Sequence, residues 1–145
     1  MNENNELLLH IYQTSDMGEK STTKLLNLLK NKDNKIKKVL EDELKKYEEF
    51  KTKSEKYLKK QKIDPKTLGM MAEIMADLEM KMQVIKDNSD SKMASMLTEG
   101  FTMGTIEMNK KIDAYSKDTD KDIINLAKQL LKFQEEEIEN LKEYL

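Results

Sequence analysis

Apolar side chains recur every three or four positions along most of this chain. One stripe comprises Ile36, Leu40, Glu43, Tyr47, Phe50, Ser54 and Tyr57. That spacing places the side chains on one face of a helix. Only one Pro and four Gly occur among the 145 residues, so few residues can interrupt a helix. The sequence therefore predicts an all-α fold built from long amphipathic helices.

Short polar segments divide this pattern into five predicted helices. The first covers about residues 3–32, and Asp33 is placed to cap the second. The third covers about residues 65–87 and begins with Pro65, a residue favoured at the first helical position. Residues 88–91 supply caps for the fourth, which extends to about Lys117. Thr119 and Asp122 have the spacing of a capping box before the fifth, with Asp in place of the usual Glu.

Short turns make successive helices antiparallel neighbours, so one antiparallel bundle domain over residues 1–145 is expected. The inner face of the fourth helix should include Met93, Met96, Leu97, Gly100, Met103, Gly104, Glu107 and Tyr115. That of the fifth should include Ile124, Ala127, Leu131, Gln134, Ile138, Leu141 and Leu145. For Gly18, Gly100 and Gly104, either close helix packing or a small cavity explains the missing side chain.

Composition excludes several classes of function. All 26 basic residues are Lys, and the formal net charge is −2. Because bidentate recognition of bases and phosphates relies on Arg, no nucleic-acid partner is expected. The chain has no Cys, which removes thiolate metal sites, and no apolar run approaches the length of about 20 residues needed to span a membrane. Without a recognisable signal peptide, a cytoplasmic location is expected.

The third predicted helix carries a stripe rich in methionine. Met71, Met75, Leu78 and Met82 lie on one face. Methionine fills irregular gaps in protein cores and also forms adaptable binding surfaces. Burial in the bundle is the favoured interpretation, and a homo-oligomer or a protein partner bound through this face is the alternative.

Counting residues from the turns places several polar side chains near the middle of the bundle. Glu19, Lys46 and Tyr47 lie at one level, roughly 20 Å from the first turn at 1.5 Å per residue. Gln134 lies opposite Met103 and Gly104, one turn from Glu107. The predicted central polar layer comprises Glu19, Glu43, Lys46, Tyr47, Glu107, Gln134 and Glu137.

This arrangement resembles the ferritin-like superfamily, in which two helical hairpins are joined by a long crossover and carboxylates project into the centre. The chain is also similar to small uncharacterised ferritin-like proteins of clostridia and related Firmicutes, particularly around residues 12–18 and 99–104. The resemblance implies four bundle helices, with residues 65–87 as a crossover that is itself helical. Di-iron members place one Glu on each of two helices and Glu-x-x-His on each of the other two.

On this sequence the resemblance implies that Glu19 is the lone glutamate of the first helix. The lone glutamate of the fourth helix would be Glu107 or would be absent. The paired motifs then become Glu43-x-x-Lys46 and Gln134-x-x-Glu137, so both histidines are missing. A Lys adds positive charge where cations would sit, and His10 lies about two turns from the layer. No metal, cofactor or catalytic residue is therefore expected.

Two functions remain. The favoured one is a non-enzymatic bundle that serves as a structural or partner-binding module, in which Glu43 forms a structural pair. The alternative is a carboxylate-rich iron- or manganese-binding protein, either oxidase-like or a metal store. Hydrolase and transferase classes lack support, because the sequence has neither a Gly-rich phosphate loop nor a nucleophile elbow.

Overall fold

The computed structural model describes residues 3–64, 80 and 86–145. Within them the chain forms a bundle of four α-helices and no strand. The helices are α1 (Glu3–Leu28), α2 (Lys37–Lys60), α3 (Asp90–Tyr115) and α4 (Lys121–Leu141), with a short 3-10 turn at Lys142–Tyr144. The predicted all-α bundle is confirmed. None of these helices is both long and apolar enough to cross a membrane.

The predicted helix over residues 65–87 lies almost wholly outside the described residues. The same is true of its methionine-rich face, Met71, Met75, Leu78 and Met82. Met80 is described; it is half-buried and packs against the core.

The helices pack as two pairs, because the most extensive contacts join α1 to α2 and α3 to α4. Leu and Ile side chains fill both pairs, and an aromatic cluster links them. The ring of Tyr47 on α2 lies 6.2 Å from Phe101 on α3 and 5.2 Å from Phe133 on α4. Such offset and edge-on contacts add to the stabilisation from burial alone.

Two of the predicted caps are wrong, Asp33 for α2 and the Thr119 and Asp122 capping box for α4. The N-cap position of α2 is Ile36, which makes no side-chain cap bond, and Asp33 is exposed. The turn is held instead by Asn34, whose Nδ2 donates to the Asn88 carbonyl at 2.8 Å and to Asp90 Oδ1 at 2.9 Å. These bonds replace a local cap by contacts with the start of α3.

The N-terminal caps of α3 and α4 also differ. Ser89 caps α3 by accepting a hydrogen bond from the Lys92 backbone N–H at 3.2 Å, as predicted. No capping box begins α4, because its N-cap is Asp120 and makes no side-chain bond. The Thr119 hydroxyl donates to the Tyr115 carbonyl at 2.6 Å, so it serves the end of α3.

The inner face of α2 is nearly as predicted. The fourth and fifth predicted helices are α3 and α4, and each is rotated about its axis relative to the prediction, so that different residues face the core. On α3, Met103 is 68% exposed and Glu107 is also exposed, while Phe101 is buried. On α4, Phe133 is buried and Leu131 only half-buried. Since a phenylalanine buries more apolar surface than the residues that it displaces, the aromatic cluster determines the rotation of both helices.

Candidate functional site

Two carboxyl side chains meet inside the bundle, Glu43 from α2 and Glu137 from α4. Glu43 is fully buried and Glu137 nearly so. No donor group among the described residues reaches either oxygen of Glu43. Burial raises the pKa of Glu43 well above its usual range, and the hydrogen-bonding and charged neighbour Glu137 raises it further. Glu43 is therefore protonated at neutral pH.

That proton explains how two acceptors can lie together. Two ionised carboxylates would repel each other, but a protonated Glu43 can donate its O–H to Glu137. Asn140 Nδ2 also donates to Glu137 Oε2 at 2.8 Å, which favours Glu137 as the acceptor. Burial raises the pKa of the nearby Tyr47 phenol, as do the two carboxyls, so Tyr47 stays protonated.

A second polar cluster joins α1 to α2. Lys51 Nζ lies 2.9 Å from Asp16 Oδ1 and 3.3 Å from Glu19 Oε1. Burial alone would lower the pKa of Lys51, but the hydrogen bonds and charges of the two carboxylates raise it overall. All three side chains are at least partly buried, so the cluster is less screened than a surface pair. Glu19 thus belongs to an ion cluster at the interface of the first helix pair.

The sequence analysis predicted that Lys46 lies in the central polar layer, but the lysine that joins the ion cluster is Lys51. Lys46 is exposed, and its one ion pair with a described residue is a 3.7 Å contact with Glu49 on the same helix. Its position is to one side of the apolar stripe, and an ammonium remains hydrated unless buried partners compensate for the loss of water. Asp16 and Lys51 lie at similar distances from the turn at residues 29–36, so the same residue count could have found them.

The predicted polar layer is therefore only partly assembled. Glu43, Tyr47, Gln134 and Glu137 are buried inside the bundle, whereas Glu107 is exposed. The structure thus gives the positions of these side chains. That any of them binds a ligand remains a prediction. Among the described residues, no three His, Cys, Asp or Glu side chains are grouped so that they could hold a metal ion.

A groove with a volume of about 340 Å³ opens between α1 and α3, whose mutual contacts are far fewer than those within either helix pair. Tyr47, Phe101 and Gln134 line it from the interior. Its other lining residues are largely apolar or small and include Met17, Gly18, Leu25, Met80, Met96, Leu97, Gly100, Met103 and Gly104. Much of the face of α3 that was predicted to pack in the core lines this groove instead.

The three glycines have different surroundings. A Cβ atom at Gly18 would overlap the ring of Tyr47, and one at Gly104 would lie 2.6 Å from Gln134 Nε2. No atom of the described residues would lie within 4 Å of a Cβ at Gly100. Gly18 and Gly104 therefore admit a side chain from a neighbouring helix, while Gly100 leaves space in the groove. Both explanations considered for the glycines apply, at different positions.

The interior and the groove offer different chemistry. The interior holds a proton between two buried acids, near a protonated phenol. The groove offers an apolar, ligand-sized space with a few polar groups, which is typical of binding sites.

No family model, curated protein or solved structure matches this chain.

Proposed function

We propose that this protein is a non-enzymatic, ferritin-like antiparallel bundle that acts as a structural or partner-binding module and holds no di-iron centre. The pairing of α1 with α2 and of α3 with α4 supports the arrangement of two hairpins. Assembly through Met71, Met75, Leu78 and Met82, and a cytoplasmic location, remain predictions.

The acid pair carries this proposal. A di-iron or di-manganese site needs several ionised carboxylates and imidazoles that converge on the ions. Here Glu43 is protonated, and its only acidic hydrogen-bonding neighbour among the described residues is Glu137. Lys46 is exposed, and Glu19 is paired with Lys51. The carboxyl groups at the centre thus support a structural role.

The experiment that tests this proposal measures metal content and metal-dependent stability together. The purified protein should contain well under one iron or manganese ion per chain. Because a ligand that binds only the folded state raises the unfolding midpoint, added Fe²⁺ or Mn²⁺ should leave that midpoint unchanged. Glu43→Gln should have the same low metal content as the wild type and the same lack of a metal-induced shift, as should Glu41→Gln, which changes an exposed residue on the same helix.

Stoichiometric metal in the wild type would contradict the proposal. The clearest contradiction would be a metal-induced rise in the midpoint that Glu43→Gln abolishes and Glu41→Gln retains. That pattern would favour the carboxylate-rich iron- or manganese-binding alternative.

A further inference from the structure

Gln134 provides a polar contact point at the groove between α1 and α3. Its side chain is only 2% exposed, and its amide oxygen has no hydrogen-bond partner among the described residues. A buried amide without a partner lowers stability, so such groups are normally paired. Because Gln134 lines the groove, a ligand that enters it can satisfy this amide.

The size and the lining of the groove indicate what kind of molecule would fit. About 340 Å³ lies within the range of roughly 300–1,000 Å³ typical of small-molecule sites. Methionine side chains line both walls, with Met17 on α1 and Met96 and Met103 on α3. Because methionine adapts its shape to a partner, these walls favour a flexible apolar ligand.

Charge at the groove disfavours an anionic ligand. No Lys is among the described residues that line it, whereas Glu107 contributes an acidic group. Burial lowers the pKa of His10, another lining residue, and nearby Lys111 lowers it further. His10 is therefore largely neutral at pH 7 and does not supply a compensating positive charge.

We propose that the groove binds a neutral, largely apolar small molecule whose single hydroxyl or amide head hydrogen-bonds to the side-chain amide of Gln134. An amide presents both donors and an acceptor, so either kind of head can pair with it. This inference rests on the proposed binding function and names its ligand class.

Octan-1-ol is a suitable probe, and methionine methyl groups are suitable reporters. In a protein labelled with ¹³C at the methionine methyls, added octan-1-ol should shift the signals of Met17, Met96 and Met103 saturably. Met93 and Met108 are fully buried, do not line the groove and should not shift. Equal shifts at all five methionines would indicate non-specific partitioning and would overturn the inference.

Gly100 offers a variant that blocks the groove without displacing a neighbour. Since a Cβ there meets no atom within 4 Å in the part of the chain that the structure describes, Gly100→Leu should fold and fill the space that the ligand needs. We expect this substitution to raise the Kd for octan-1-ol at least about tenfold, which corresponds to a loss of about 1.4 kcal/mol of binding free energy. Ser95→Leu adds the same side chain to an exposed position of α3 outside the groove and should leave the Kd unchanged. Equal affinity in both variants would overturn the inference.

The polar contact has its own test. Gln134→Leu should weaken octan-1-ol binding about fivefold, which is the loss of one typical hydrogen bond. Octanoate, which has the same chain length, should bind more weakly than octan-1-ol to the wild type. Tighter octanoate binding would contradict the neutral head group. Metal content is measured separately, so failure of the metal-free proposal can be distinguished from failure of this one.

Discussion

The first helix, α1, packs against α2 and against α3 in different ways. Against α2 it packs closely over much of its length, and Lys51 joins the two helices through Asp16 and Glu19. Against α3 it makes few contacts and leaves the groove. The difference teaches that an apolar stripe on a helix identifies a face that avoids water, but does not tell whether a core or a binding groove covers it.

The largest expected effect concerns the closed interior. Glu43 has a raised pKa in the folded protein, so between about pH 4.5 and that raised value the unfolded chain releases a proton that the folded chain retains. The stabilising contribution of Glu43 to the folded state is fully present below about pH 4.5 and is lost as the pH rises towards the raised pKa. The free energy of unfolding should fall by up to about 1.4 kcal/mol per pH unit. Urea unfolding between pH 6.5 and 8 measures this slope.

Glu43→Gln should remove that pH dependence, because its amide can donate to Glu137 at every pH. All other titrating groups remain in the variant, so the difference between the two slopes isolates Glu43. Glu41→Gln should keep the slope of the wild type. Identical slopes in the wild type and Glu43→Gln would show that Glu43 is not protonated in the folded protein.

A smaller effect should distinguish the two lysines near this level of α2. Lys51→Met removes a partly buried cation from two carboxylates and should lower the free energy of unfolding by about 1–2 kcal/mol, between the values for exposed and buried pairs. Lys46→Met breaks only an exposed contact and should change it by less than about 0.5 kcal/mol. Chemical denaturation of both variants measures the difference. A larger effect at Lys46 would restore the polar layer predicted from the sequence.

The sequence predicts the fold well where local chemistry decides it. Four helices, the Ser89 cap and most of the inner face of α2 follow from periodicity and capping. The rotation of α3 and α4 does not, because it depends on Phe101 and Phe133 meeting Tyr47 across three helices. The turn at residues 29–36 is likewise held by Asn88 and Asp90, more than 50 positions away in the chain.

The candidate site is predictable to a similar degree. Glu43, Tyr47 and Gln134 were found because each lies on an apolar stripe, and all three are buried. Lys46 was placed by height alone, and height does not tell on which side of a helix a residue lies. Glu107 was assigned to the inner face of α3, but that face lines the groove and Glu107 is exposed. The groove could not be predicted, because it depends on how far apart α1 and α3 are held by their partners.

Two glycines test the contrast between the closed and the open side of α1 most directly. Replacing Gly by Ala in a helix interior stabilises it by about 0.5–1 kcal/mol when the methyl group meets nothing. At Gly18 the methyl would overlap the Tyr47 ring, which Phe101 and Phe133 hold in place, and such overpacking costs about 1–3 kcal/mol. At Gly100 the methyl would meet no atom of residues 3–64, 80 and 86–145 within 4 Å.

The decisive measurement is therefore the free energy of unfolding of Gly18→Ala and Gly100→Ala, each relative to the wild type. We predict opposite signs, with Gly100→Ala more stable than the wild type by about 0.5–1 kcal/mol and Gly18→Ala less stable by about 1–2 kcal/mol. Equal stabilisation by both substitutions would contradict the close packing of Tyr47 against α1. Destabilisation by Gly100→Ala would contradict the open groove between α1 and α3.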